Sequence, residues 1–348
     1  MSTDIISREH EVLFQNYRRL PIELDYGKGS YLYDLSGKKY LDFLSGIAVN
    51  ALGHSHPKLV DAVVKQAQKS MHVSNFFYQE SQVRLAELIC ELGAYQRVFF
   101  SNSGAESFEG AIKIARLWGS KHNKTDIYAF HGGFHGRTYG SLSLMDKAIY
   151  RDGMGPFLPN MHVLPFNDID ALYSTINEHT CAVALEFLQG EGGIIHAEPE
   201  FINALESLKE QYNFLIIADE VQAGAGRTGS FFYFDKYLIK PDIVVMEELK
   251  NGVQQHAKEM GCYLKDALYE VQKEFPDHII EIRGCGCMQG IVLKYEASVL
   301  VTELLKQNII TNATASNVLR LLPPLTISKV EIDEFIDGLK ISLQSLKQ

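Results

Sequence analysis

The sequence has too few cysteines, too little positive charge and too short apolar runs for several whole classes of protein. Its five cysteines (Cys90, Cys181, Cys262, Cys285 and Cys287) are odd in number and scattered. They do not suit the paired framework of a small secreted domain, and a reducing, cytoplasmic setting is expected. Lysine and arginine number 33 against 43 aspartates and glutamates, a formal net charge of −10. That balance argues against a nucleic-acid or anionic-membrane surface but leaves room for a local arginine pocket that takes an acidic small molecule. No stretch approaches the roughly 18 apolar residues of a membrane span. The polar start, MSTDIISREHEVLFQNYRRL, lacks the apolar centre of a secretory leader. Internal repeats and low-complexity linkers are missing too.

What is present is an ordinary globular balance, 46% hydrophobic and 22% charged over 348 residues, enough for one large domain and a smaller one. A helix is expected over Arg8–Tyr17, then hairpin-like runs in IELDYGKGSYLYD and KKYLDFLSG, then a helix over His56–Met71 with a stripe at Leu59, Val63 and Ala67. Strand–turn–helix units follow. VFF at 98–100 reads as a strand before SNSGAES and a helix. DIYAF, TCAVAL, FLIIAD and PDIVVM read as further buried strands. Such alternation predicts an α/β fold with a mostly parallel sheet and a ligand site at the carboxyl ends of its strands. A long helix (about Lys250–Phe275), the strand-like IIEIRGCGCMQGIVL and further α and β elements predict a smaller α+β domain. The expected divisions are an N-terminal segment 1–50 that joins the small domain, a large domain 51–246 and a small domain 247–348.

Four clusters carry chemistry. SNSGAES stands at a helix start, where free N–H groups and the small residues Gly104 and Ala105 suit a phosphate; a simply well-capped helix fits equally. HGGFHGRT offers two histidines, but without helical spacing or a completing acid or thiolate it is not read as a metal site. Its Phe134 could stack on a planar ring and its Arg137 could fork onto a carboxylate. Asp219 ends an apolar strand, as a partner for a protonated ring nitrogen or as an ordinary turn acid, with Gln222 near enough to reach an adjacent oxygen. GAGRTG matches a dinucleotide fingerprint in letters, but SFFYFDKY follows where a helix is needed. Cys285-Gly-Cys287 reads as a tight bend.

In order along the chain, NYRRLPIEL, YLDFLSGIAVNALGHSHPKLV, HVSNFFY, FFSNSGAES, FHGRT, LEFLQGEGG, ADEVQAGAGRTG, RGCGCMQG and LRLLPPL resemble the class-III pyridoxal-phosphate-dependent aminotransferases, in the branch that acts on N-acetylornithine. The resemblance implies a fold type I homodimer with the site between subunits. It also implies amino transfer from an N-acylated ornithine to 2-oxoglutarate, giving glutamate, in arginine biosynthesis. By the same resemblance Gly104 and Ala105 bind the cofactor phosphate, Phe134 stacks on its ring, Asp219 pairs with the ring nitrogen and Gln222 reaches the phenolic oxygen. Arg137 takes a substrate carboxylate, Glu191 covers and releases Arg320, and Tyr17 faces the substrate.

Two departures stand out. Phe187 and Leu188 replace a proline and a small apolar residue usual at that strand end. More seriously, the family follows the PDIV strand with the lysine that bonds covalently to the cofactor, whereas here PDIVVM runs into Glu247, Glu248 and Leu249. Glu248 falls in the lysine slot, and Lys250 could replace it only if the backbone rearranged. A block of several dozen residues is expected to be missing between Met246 and Glu247. No efficient transamination is expected, the cofactor is expected to be held non-covalently at best, and the shortened sheet should have an uncovered edge.

Overall fold

A computed structural model describes residues 5–246 and 253–346. Helix α1 (Ile5–Val12) precedes the antiparallel strands β1 (Leu24–Lys28), β2 (Tyr31–Asp34) and β3 (Lys39–Asp42), then α2 (Pro57–Lys69), α3 (Glu80–Gly93) and α4 (Gly104–Ser120). The α/β core follows as β4 (Asp126–Phe130), α5 (Tyr139–Ser143), α6 (Ala148–Arg151), β5 (Met161–Leu164), α7 (Ile169–Thr175) and β6 (Thr180–Leu185). A small hairpin, β7 (Leu188–Gln189) and β8 (Ile195–His196), leads to α8 (Pro199–Tyr212), β9 (Leu215–Glu220) and β10 (Ile243–Met246). The remainder is α9 (Val253–Glu274), β11 (Ile279–Cys285), β12 (Met288–Leu293), α10 (Ala297–Lys306), β13 (Ile309–Ile310), β14 (Asn312–Thr314), β15 (Val318–Leu321) and α11 (Lys329–Ser345).

The central sheet runs β10-β9-β6-β4-β5, and all four of its pairings are parallel. Side chains alternate across it with the period of two that a strand imposes. Ile127, Ala129, Ala182, Ala184 and Ile217 pack with Phe108, Ala111, Ile112 and Ala115 of α4. Tyr128, Phe130, Val183, Leu185, Ile216 and Ala218 pack on the other face with Phe201, Ile202, Leu205 and Leu208 of α8. The small residues on the α4 side let that helix approach closely, and this closeness sets its first turn beside the strand ends. A second sheet, β11-β12-β15-β14, is antiparallel, and α9 supplies Ala257, Met260, Leu264 and Leu268 to the core that it shares with α11. Strand β13 crosses to pair with β3, which ties the N-terminal strands to this second unit.

Two expectations are corrected. The first helix spans Ile5–Val12, not Arg8–Tyr17; Phe14 is 92% exposed and offers the chain no packing reason to continue the helix. Residues 98–100 form no strand, and Phe99 is 75% exposed. A strand exists only by pairing, and among the described residues β10 closes the sheet with β9 as its sole neighbour. The apolar stripe of α2 faces solvent: Leu59, Val60, Val63 and Val64 are all exposed, and neither α2 nor α3 has a buried residue.

Candidate active site

Asp219 sits at the carboxyl end of β9 and is 5% exposed. Its Oδ2 lies 2.7 Å from Nδ1 of His135, and Oδ1 accepts the N–H of Val221 at 3.2 Å. The imidazole of His135 stacks on Phe108 of α4, centroids 4.4 Å apart and planes 4° from parallel. This fixes the ring and, through it, the carboxylate. The two histidines of HGGFHGRT thus serve separate acids, since His131 Nδ1 is 2.9 Å from Asp146.

The first turn of α4 begins at Gly104, with Ser103 as N-cap accepting the N–H of Glu106 and with Glu106 accepting the N–H of Asn102 at 2.7 Å. Gly136 has φ +119°, and a Cβ there would meet Cβ of Ala105 at 2.6 Å. Only glycine allows this backbone to lie against the helix start. Gly104 and Ala105 are therefore on the same side of the sheet ends as the 131–137 loop.

Phe134 donates its N–H to Oε2 of Glu186 at 2.9 Å, and Glu186 Oε1 accepts the N–H of Gly190 at 3.2 Å. One buried carboxylate thus pins two loops, and burial together with the charge of Asp219 raises its pKa. The Phe134 ring meets Tyr150 edge-on at 5.9 Å. The guanidinium of Arg137 lies 4.5 Å from the Tyr150 centroid and 5.6 Å from that of Tyr17, an arrangement that holds a cation while leaving its edge open.

Arg320 of β15 is 1% exposed and donates from Nη1 to Oε1 of Glu191 at 2.7 Å. Its Nε donates to Asn312 Oδ1 at 3.2 Å, and Nη1 lies 3.4 Å from Oε1 of Gln222. Burial opposes ionisation of Glu191, but Arg320 and Lys147 outweigh it and hold its pKa below the usual value. Gln222, Glu191 and Arg320 are thus brought together, as are Phe134, Arg137 and Tyr17. Glu248 and Lys250 lie outside the described residues. Sequence reasoning missed His135 as the partner of Asp219, and also Glu186, Tyr150 and Lys147; of these, His135 and Glu186 stood in segments already singled out, FHGRT and LEFLQGEGG.

The remaining motifs serve packing. Arg227 of GAGRTG is buried and donates to the carbonyls of Pro323, Cys287 and Ala48, and burial lowers its pKa to about 10. Cys285 and Cys287 are free thiols at the β11–β12 turn, where Gly284 and Gly286 have positive φ. Glu220, next to Asp219 but on the opposite face, accepts the N–H groups of Tyr233 and Phe234 at 2.8 and 3.1 Å. Burial pushes its pKa up to about 8 against the pull of those two bonds. A carboxyl whose folded pKa exceeds its unfolded value stabilises the fold most at low pH, and that contribution is lost as pH rises towards 8. Glu220→Gln should therefore flatten the decline of unfolding free energy between pH 5 and pH 8, as read from urea titrations.

The residues present fit the cofactor that the sequence resemblance implies. A buried acid backed by His135 suits a ring nitrogen, the α4 start suits a phosphate, and the Gly136 cradle brings the two supporting segments together.

The sequence profile described as Aminotransferase class-III matches residues 13–252 and 245–343, two pieces that overlap at 245–252. An acetylornithine aminotransferase of Caldanaerobacter subterraneus subsp. tengcongensis is 36% identical over 393 aligned positions, more than the 348 residues of this chain, and 99% of this chain and 100% of that protein are covered. One from Methanocaldococcus jannaschii is 38% identical, with 99% and 98% covered. In solved structures, an ornithine aminotransferase from Toxoplasma gondii, described with PLP at partial occupancy in its active site, superposes with a TM-score of 0.91 at 24% identity, covering 100% of this chain and 95% of that one. The sequence matches extend over both the parallel-sheet unit and the second unit, and on them this chain belongs to the class-III aminotransferases, enzymes that work with pyridoxal phosphate.

Proposed function

We propose that this chain is of the acetylornithine type, built to move the ω-amino group of N-acetylornithine to 2-oxoglutarate in arginine biosynthesis, as a cytoplasmic homodimer. The observation that carries this reading is the buried guanidinium of Arg320 covered by Glu191 at 2.7 Å, together with an exposed guanidinium, that of Arg137, held by the rings of Tyr150 and Tyr17. A five-carbon dicarboxylate needs two cations. A donor that brings an amine instead of the second carboxylate needs one of them masked.

The residues then have definite tasks. Asp219 holds positive charge on a ring nitrogen, and His135 keeps that carboxylate aimed. Gln222 offers its amide to an adjacent oxygen, Phe134 covers a ring face, and Gly104 and Ala105 present N–H groups to a phosphate. Arg137, steadied by Tyr150 and Tyr17, takes the carboxylate common to both substrates. Pyridoxal phosphate, when bound, supplies the electron sink that makes the amine-bearing carbon acidic. The exposed α2 and α3 faces support a covering partner or segment, which a homodimer would supply.

The finer proposal is that amino transfer by this polypeptide is inefficient. By sequence register Glu248 falls in the lysine slot, and the split of the profile match at 245–252 supports a missing block there, as do an alignment longer than the chain and, among the described residues, a β10 edge with β9 as its one neighbour and no strand at 98–100. A carboxylate can neither bond to the cofactor as an amine does nor carry the proton in the same way. The same junction favours a second reading, a non-catalytic relative that binds cofactor or pairs with an intact paralogue. That reading predicts heterodimers on mixing the two.

Substrate class is tested by equilibrium binding to the cofactor-saturated chain. N-acetylornithine should bind about tenfold more tightly than plain ornithine, whose free α-ammonium would face Arg137. Equal affinities would contradict the acylated-donor reading.

A further inference from the structure

Lys147, just before α6, donates from Nζ to the main-chain carbonyl of Glu191 at 2.9 Å and lies 3.5 Å from Oε2 of the same residue. The Thr314 hydroxyl donates to that carbonyl as well, at 2.9 Å. The backbone of Glu191 is thus held from two sides while its carboxylate stands between two cations, one oxygen on Arg320 and the other in a looser ion pair with Lys147. The Arg320 side chain is 2% exposed, but those of Lys147 and Glu191 are 27% and 22% exposed. The carboxylate can therefore move outwards, towards Lys147, without entering an apolar wall.

We infer that Lys147 is a positioning residue for the reaction: it receives the carboxylate of Glu191 when a substrate carboxylate takes Arg320. The inference rests on the reading of Arg320 as a substrate-carboxylate site. Because Lys147 is anchored to the main chain of Glu191 itself, it stays in place as the side chain turns. Rotation about the Glu191 side-chain bonds exchanges one counter-ion for another and leaves no bare charge in a partly buried site. Without Lys147, releasing Arg320 would strand Glu191, and a ligand that needs Arg320 would have to overcome that cost. A ligand that uses Arg137 alone would be indifferent.

The test uses the full chain saturated with pyridoxal phosphate and two unreactive probes in calorimetric titrations. Glutarate has two carboxylates, and N-acetylnorvaline has the acetamido carboxylate of the donor without its amine. Lys147→Gln should weaken glutarate about three- to fivefold, the scale of a partly exposed ion pair. It should leave N-acetylnorvaline unchanged, and Lys147→Arg should restore glutarate. Loss on both probes, or on neither, overturns the inference. Arg320→Gln separates the two layers. If it selectively abolishes glutarate binding while Lys147→Gln does nothing, only the role of Lys147 fails. If Arg320→Gln spares glutarate, the underlying reading fails and the inference goes with it.

Discussion

Inserting between Met246 and Glu247 the segment that an acetylornithine aminotransferase has at that point should raise amino-transfer turnover by about 10²–10⁴-fold, the usual worth of a positioned proton carrier. The gain has two parts that controls can separate. The segment would lie beside β10, which among the described residues has β9 as its one neighbour, and it could offer a partner to residues 98–100, which have the apolar composition of a strand and pair with no described strand. It would also supply the amine. The same insertion with its lysine changed to alanine should recover the structural part, seen as a higher melting temperature and stronger protection of 98–100 in hydrogen exchange, while turnover stays at the level of the present chain. A full gain from the lysine-free insertion would show that the deficit is one of folding alone.

Asp219→Ala should weaken pyridoxal phosphate binding by at least about a hundredfold, because removing one partner of a buried charge pair costs about 3–5 kcal/mol. The carboxylate is 5% exposed and 2.7 Å from His135, so its loss also leaves that imidazole, wedged against Phe108, without its acid. Equilibrium dialysis reads the affinity directly. Glu220→Gln is the matched control: the neighbouring residue points to the other face, towards Tyr233 and Phe234, and should leave cofactor affinity within about twofold. A small effect of Asp219→Ala would move the cofactor ring away from the end of β9.

Much of the α/β core was legible because buried parallel strands leave short apolar runs bounded by polar turns. Asp126–Phe130, Thr180–Leu185 and Leu215–Glu220 each end in the loops that form the site. Val98–Phe100 has the same composition and failed as a strand, since composition reports a tendency and pairing depends on what lies alongside. The stripe on α2 was equally visible, but periodicity says that a helix has an apolar face and not that this chain covers it. In the site, Asp219, Gln222 and Arg137 stood in motifs, whereas the tie between His135 and Asp219 joins residues 84 positions apart. Lys147 and Tyr150 were invisible for the same reason: neither sits in a recognisable pattern, and both act through partners brought by the fold, Glu191 for one and Arg137 for the other.

With Glu248 in the lysine slot, as proposed above, pyridoxal phosphate is expected to be held without a covalent bond to any side chain of this polypeptide. Borohydride reduction of the protein with pyridoxal phosphate, followed by peptide mass spectrometry, tests it most directly. No phosphopyridoxyl adduct is expected on any lysine above the level of a denatured control, and a stoichiometric adduct on Lys250 or any other single lysine would overturn the non-covalent reading.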